Sequence, residues 1–181
     1  MVVPVSAMVP LNSLDPAETA PLTDAGLTSY HAVKQCLPTL TPNTAAVVIG
    51  VGGLGHLAVE FISVLSGAQI IAVDRDEQAL KLAAEKGASL CLPSDETTAK
   101  QIKEATGGLG AMAVIDFVGI DATLTMAAQS LRRTGRIVMV GIGGGVLPFS
   151  YKTLPPGCSL MTVLGGSTVG TGGSGGTCRG R

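Results

Sequence analysis

The sequence predicts an α/β fold, a doubly wound parallel sheet, and three observations carry that prediction. Strand-like and helix-like segments alternate from residue 45 to residue 150. The strand-like segments are apolar throughout rather than at every second position, so both of their faces are buried and the intervening helices cover them. Glycines stand where helices should stop and where the first strand should pass into a helix.

The elements follow in order. Asp15-Pro16-Ala17-Glu18 reads as a helix start, with an Asp cap, Pro in the first turn and an acid just beyond. Pro21 interrupts that helix, and Thr23 is the expected cap of a second one reaching about Gln35. AAVVIGV (45–51) is the first strand. The helix after it places Leu57, Ala58, Phe61, Ile62 and Leu65 on one face and ends at Gly67. QIIAVD (69–74) is the second strand, and DEQALKLAAEKG (76–87) is a helix closed by Gly87. ASLCLP (88–93) is the third strand, and SDETTAKQIKEATGG (94–108) a helix with Ala99, Ile102 and Ala105 inward and Gly107 at its end. MAVIDFVG (112–119) is the fourth strand. Asp121 is the expected cap of the next helix, with Leu124, Ala127, Ala128 and Leu131 inward and Arg132 and Arg133 at its negative end, before Gly135 stops it. RIVMVGIG (136–143) is the fifth strand and SLMTVLGG (159–166) a sixth. Each crossover should be right-handed. The chain therefore divides into an N-terminal helical segment (1–44), the sheet domain (45–166) and a Gly/Ser/Thr-rich tail (167–181) expected to be disordered.

Bulk composition excludes several classes. With 46 % hydrophobic and 14 % charged residues, a chain of 181 residues makes one packed domain. A net charge of −1 gives no footprint for nucleic acid. No apolar run is long enough to span a membrane, and the N-terminus lacks the basic region of a signal peptide, so a cytoplasmic location is expected. Cys36, Cys91, Cys158 and Cys178 are widely spaced and form no metal-binding pair; they read as reduced, mostly buried thiols.

Gly50, Gly52 and Gly55 fit G-x-G-x-x-G in its demanding context, strand before and helix after. Gly50 allows the tight turn, Gly52 lets a diphosphate approach the backbone, and Gly55 lets the helix pack closely on the sheet. Gly53 and Leu54 complete the turn, whose free N–H groups face the anion. Asp74 ends the second strand, where a carboxylate accepts hydrogen bonds from ribose hydroxyls. Together these features predict a Rossmann domain that binds NAD. A 2′-phosphate would meet the Asp74 carboxylate, and a unit charge pair at ~4 Å is worth ~1 kcal/mol in water and ~4 kcal/mol at an effective dielectric of 20. NAD is therefore expected over NADP, with Arg75 softening the preference or acting only as a surface arginine.

Weaker signals lie nearby. Asp116, in an apolar strand, reads as a structural carboxylate bonded to adjacent backbone. His56 either touches phosphate or is an exposed first-turn residue, and His31 belongs on a helix surface. No residue stands out as catalytic.

The series APLTDAGLTSYHAVK, VVIGVGGLGH, IIAVDRDEQALKLAAEKGA, AVIDFVG and GRIVMVGIGGG resembles the zinc-dependent, medium-chain alcohol dehydrogenases, best the bacterial NAD-dependent secondary-alcohol enzymes. The likeness runs from about residue 8 to residue 165. It implies hydride transfer between NAD and an alcohol with its ketone or aldehyde. It also implies a zinc ion held by a Cys and a His of a preceding β domain and by a third ligand for which Asp24 stands here. Thr28 would sit beside the nicotinamide, with Val118, Gly141 and Ile142 lining its groove. A lone carboxylate cannot hold tetrahedral zinc, so the isolated chain is expected to bind NAD(H) without turning over alcohol. The departure from the family pattern after residue 165 points to a truncated reading frame. The resemblance further implies a homodimer through the sheet edge near 159–166. Two other readings compete: a non-catalytic NAD(H)-binding module, and an S-adenosylmethionine methyltransferase, which shares a Gly-rich turn and an acid at the second strand.

Overall fold

The computed structural model describes residues 8–166 together with Val2 and Val5, and the 167–181 tail lies outside the described residues. Six strands form one sheet: β1 (Ala45–Ile49), β2 (Gln69–Asp74), β3 (Leu90–Pro93), β4 (Ala111–Asp116), β5 (Leu131–Met139) and β6 (Ser159–Thr162). All neighbours are parallel, in the order β3-β2-β1-β4-β5-β6. The chain order reverses between β1 and β4, the place where a doubly wound sheet opens a crevice at its carboxyl ends. Register brings those ends level, with Ile49 opposite both Val73 and Asp116, and Asp116 opposite Met139.

Both sheet faces are covered, and the side chains of β1 alternate between two cores. Ala46 and Val48 face one core, under α2 (Ala25–Cys36), α3 (Gly55–Leu65) and α4 (Glu77–Glu85). Ala45, Val47 and Ile49 face the other, under α5 (Thr98–Ala105) and α6 (Asp121–Ser130). Val47, Val48, Ile71 and Ile115 are fully buried, and each such aliphatic side chain contributes about 1.5–3 kcal/mol relative to exposure. The expected doubly wound fold is thus the observed one. The expected Asp15 cap is present too: its carboxylate accepts from Ala17 N and Glu18 N at the start of α1 (Pro16–Thr19).

Several local expectations are corrected. Thr23 does not cap α2; its hydroxyl donates back to the Ala20 carbonyl, and Asp24 occupies the cap position without a side-chain bond. The inward face of α3 is Ala58, Val59 and Ile62, while Leu65 is 45 % exposed. Ser66, not Gly67, leaves that helix in extended conformation. In α5 Thr98 is buried and Ala105 is exposed, because the Thr98 hydroxyl donates to Pro93 O at 2.5 Å and turns the first turn inward. Helix α6 ends at Ser130, so Leu131, Arg132 and Arg133 belong to β5. Asp121 lies inside α6 rather than at its cap; Thr123 Oγ1 accepts from Ile120 N, the cap residue.

The free cysteines follow burial. Cys36 lies in the core, where desolvation pushes its thiol up to about 12 against a smaller opposing pull from Arg136. Cys91 and Cys158 are half-buried, and Cys178 lies outside the described residues. At pH 8 we expect an alkylating reagent to modify Cys158 at least about tenfold faster than Cys36, since only the thiolate reacts. Peptide mapping after timed labelling checks this, and equal rates would mean that the core around Cys36 opens readily.

Candidate functional site

The carboxyl ends of β1, β2, β4 and β5 and the start of α2 surround a cleft of about 750 Å³. Gly50 leaves β1 at φ +80°, a conformation that suits glycine, and a Cβ there would lie 2.6 Å from Val118 Cγ2. Gly55 begins α3 pressed onto the preceding turn. Around Gly52 and Gly53 a Cβ would meet nothing within 4 Å, so the cleft reaches the backbone there.

The turn's hydrogen bonds define what it offers. Gly50 N donates to Val73 O and Val51 N to Asp74 Oδ2, both fixing the turn to β2. The N–H groups of Gly52, Gly53, Leu54 and Gly55 donate to no group among the described residues. Four free donors at the positive end of an eleven-residue helix suit an anion. His56 does not reach into the cleft as a phosphate ligand; its Nδ1 donates to Gly52 O at 2.6 Å.

Asp74 lines the same cleft, and its Oδ1 accepts from Arg75 N and Asp76 N. With Val51 N on Oδ2, three of about four lone-pair sites on the carboxylate are engaged. Arg75 lines an adjoining slot with Ser94, a slot that Gly50, Asp74 and Val118 also line.

On the far wall stand Val118, Gly141 and Ile142, and Thr28 of α2 and its cap residue Asp24 also line the cleft. The wall is built by Asp116, which is fully buried. Its Oδ1 accepts from Val118 N and Gly119 N, and its Oδ2 from Thr123 Oγ1. Its expected structural role is therefore the one observed. Gly141 packs against the Val118 backbone so tightly that a Cβ would lie 2.2 Å from its carbonyl carbon. Opposite, Ser29 is buried and donates to Leu54 O at 2.8 Å, fastening α2 to the glycine turn. His31 is not a plain surface residue: its Nδ1 donates to Gly165 O at 2.9 Å, bringing the chain after β6 against α2.

Phe117, Val140, Leu164 and Gly165 also line the cleft and were not singled out from sequence. The available signal was position: each follows the end of a strand, and in open α/β sheets ligands bind beyond those ends.

The donors fit a dinucleotide: free N–H groups for a diphosphate and a carboxylate for a sugar. They do not fit zinc. Asp24 is an exposed carboxylate without a hydrogen bond, and among the described residues no three His, Cys, Asp or Glu side chains gather to hold a metal ion. No helix of the described residues is long and apolar enough to cross a membrane.

A crossover-wound parallel sheet with a glycine turn at its switch point and an acid closing the next strand defines a nucleotide-binding Rossmann domain. Comparison with known proteins narrows this. The family model described as "Zinc-binding dehydrogenase" matches residues 53–171, and the chain belongs to that family. An NAD-dependent alcohol dehydrogenase of Sulfurisphaera tokodaii is 40 % identical over 141 residues, covering 77 % of this chain and 40 % of that protein. An alcohol dehydrogenase of Geobacillus stearothermophilus is 34 % identical, covering 91 % of this chain and 46 % of its own length. Among solved structures, the alcohol dehydrogenase of the archaeon Aeropyrum pernix superposes with a TM-score of 0.82 at 37 % identity, over 90 % of this chain and 48 % of that one. The chain thus spans less than half the length of these relatives.

Proposed function

We propose that residues 45–166 form the NAD-binding half of an alcohol dehydrogenase acting on an alcohol with its ketone or aldehyde. The observation that carries this reading is the row of four unpaired N–H groups at residues 52–55, opening into a cleft whose other walls are Asp74 and the ends of β4 and β5. The names of the relatives supply the substrate class and favour a dehydrogenase over a methyltransferase.

In this reading the N–H groups of Gly52, Gly53, Leu54 and Gly55 bind the diphosphate. The remaining lone pair of Asp74 accepts from one ribose hydroxyl, while its other three bonds hold the carboxylate still. Val118, Gly141, Ile142 and Thr28 line the nicotinamide end. NAD bound there supplies a hydride acceptor. Asp24 stands at the mouth of the same cleft and offers one donor, so no metal-assisted step is assigned to these residues. A second copy of the chain would pair along β6, the strand at the edge of the sheet.

Calorimetric titration of the 181-residue chain tests the cofactor reading. NAD(H) should bind, and NADP(H) should bind about tenfold to several-hundredfold more weakly, because its 2′-phosphate meets Asp74. No heat at millimolar NADH, or equal affinity for the two cofactors, would overturn the assignment of the turn or of Asp74 respectively.

A further inference from the structure

One stretch of the cleft wall is no longer held by the sheet. Strand β6 stops at Thr162, and the last bond to its neighbour runs from Val163 N to Met139 O at 2.9 Å. Val163 is buried, but the Leu164 side chain beyond it is 88 % exposed, so packing does not anchor it. Leu164 and Gly165 nonetheless line the cleft. Among the described residues a single hydrogen bond reaches residues 164–166: His31 Nδ1 donates to Gly165 O at 2.9 Å. One residue further on, the backbone presses on the same helix, α2. A Cβ on Gly166 would lie 2.8 Å from Leu27 Cγ and 2.9 Å from Leu27 O.

Leu27 and His31 are four positions apart and share a face of α2. Ser29 is two positions from each, about 200° around the helix axis, and it donates to Leu54 O in the glycine turn. Helix α2 therefore stands between the glycine turn and residues 164–166, with a hydrogen bond on each side. The sheet order puts β2 and β6 on opposite sides of β1. A dinucleotide with its diphosphate on the turn after β1 and a ribose on Asp74 after β2 sends its other half toward β4, β5 and the segment after β6.

We propose that His31 is a positioning residue for the nicotinamide half of the cofactor. His31 does not line the cleft itself; it acts through Gly165. Its bond sets Leu164 and Gly165 at a fixed distance from the glycine turn before a ligand arrives. Without it, those residues must be ordered on binding, and that ordering costs affinity. The proposal rests on the dinucleotide reading of the cleft, and its test separates the two.

The 181-residue chain is titrated with NADH and with ADP-ribose, which keeps the diphosphate and both riboses but lacks the nicotinamide. NADH should bind the more tightly of the two. His31→Ala should weaken NADH about fivefold, the scale of one lost hydrogen bond, and leave ADP-ribose within about twofold. His31→Asn, whose amide N–H replaces Nδ1–H, should restore NADH to within about twofold of the parent. Gly166→Ala keeps His31 but pushes the segment off Leu27, and should repeat the His31→Ala pattern. Should His31→Ala not fold, His31→Asn compared with Gly166→Ala carries the same contrast. A parallel fall of NADH and ADP-ribose would make the role of His31 merely structural. Unchanged NADH affinity in His31→Ala or in Gly166→Ala, no recovery in His31→Asn, or equal affinity of the parent for the two ligands would likewise overturn the proposal. Failure of both ligands to bind the parent overturns the dinucleotide reading and the role of His31 with it.

Discussion

Replacing Asp116 by Ala is expected to cost about 2–4 kcal/mol of stability, while Asp116→Asn should cost only about 1 kcal/mol. The difference lies in which partners are stranded. The carboxylate is fully buried and accepts from Val118 N, Gly119 N and Thr123 Oγ1. Alanine strands the two N–H groups at the end of β4, and Gly119 is buried where water does not replace the lost acceptor. Loss of the carboxylate's own desolvation penalty offsets part of this, which keeps the figure below the upper range for broken buried charge pairs. Asparagine keeps Oδ1 for both N–H groups. Its amide can donate to Thr123 Oγ1, which still donates to the Ile120 carbonyl. In a chain of this size about 1 kcal/mol moves Tm by about 2–4 °C, so Asp116→Ala should melt about 4–16 °C lower and Asp116→Asn within about 4 °C of the parent. The same residues set the far wall of the cleft, because Gly119 and Gly141 touch backbone to backbone. Asp116→Ala should therefore also weaken NADH binding at temperatures where it is folded. Equal melting temperatures for the two variants would show that the carboxylate oxygens are not what holds this turn.

The contrast between what the residues announced and what they concealed has a physical basis. Apolar runs such as QIIAVD declare themselves because a strand covered on both faces needs no polar position, and β2 spans Gln69–Asp74 as expected. The glycine turn was legible for a similar reason: backbone that must turn sharply, or approach another segment of the chain within the radius of a Cβ, tolerates few residue types. Helix rotation was less legible. The face of α3 is set by how Gly55 meets Gly50, which places Val59 inward and leaves Leu65 exposed. Asp121 has the sequence of a cap, yet its carboxylate accepts from Val146 N, 25 positions away, so a tertiary contact overrode a local preference. Phe117, Leu164 and Gly165 enter the cleft through strand order, which no local pattern states.

Two alanine substitutions in the glycine turn should part stability from binding. At Gly55 a Cβ would lie 1.9 Å from Gly50 O and 2.8 Å from Gly50 C, and both obstacles are backbone. The turn must move to admit it, and overpacking of this kind costs about 1–3 kcal/mol. Gly50 cannot yield freely, since its N–H is bonded to Val73 O and its own Cβ position abuts Val118. Gly55→Ala should therefore melt about 2–12 °C lower and lose most of its affinity for NADH, because the four free N–H groups no longer converge. At Gly52 a Cβ would meet nothing within 4 Å, and the backbone is not in the left-handed region. Gly52→Ala should leave Tm unchanged or raise it slightly, since alanine narrows the unfolded ensemble by about 0.4–1 kcal/mol. Its methyl group nonetheless occupies the space through which a diphosphate reaches the amides, so NADH affinity should fall by about tenfold or more, some 1.4 kcal/mol. Thermal melts and NADH titrations on both variants are the measurements. A Gly52→Ala protein that binds NADH like the parent would place the diphosphate elsewhere in the cleft. A Gly55→Ala protein with unchanged Tm would show that the turn has slack to accept a methyl group. Loss of binding with stability retained at Gly52, and loss of both at Gly55, is the pattern expected if the empty space over residues 52–53 exists to receive an anion and the contact at residue 55 exists to aim the helix at it.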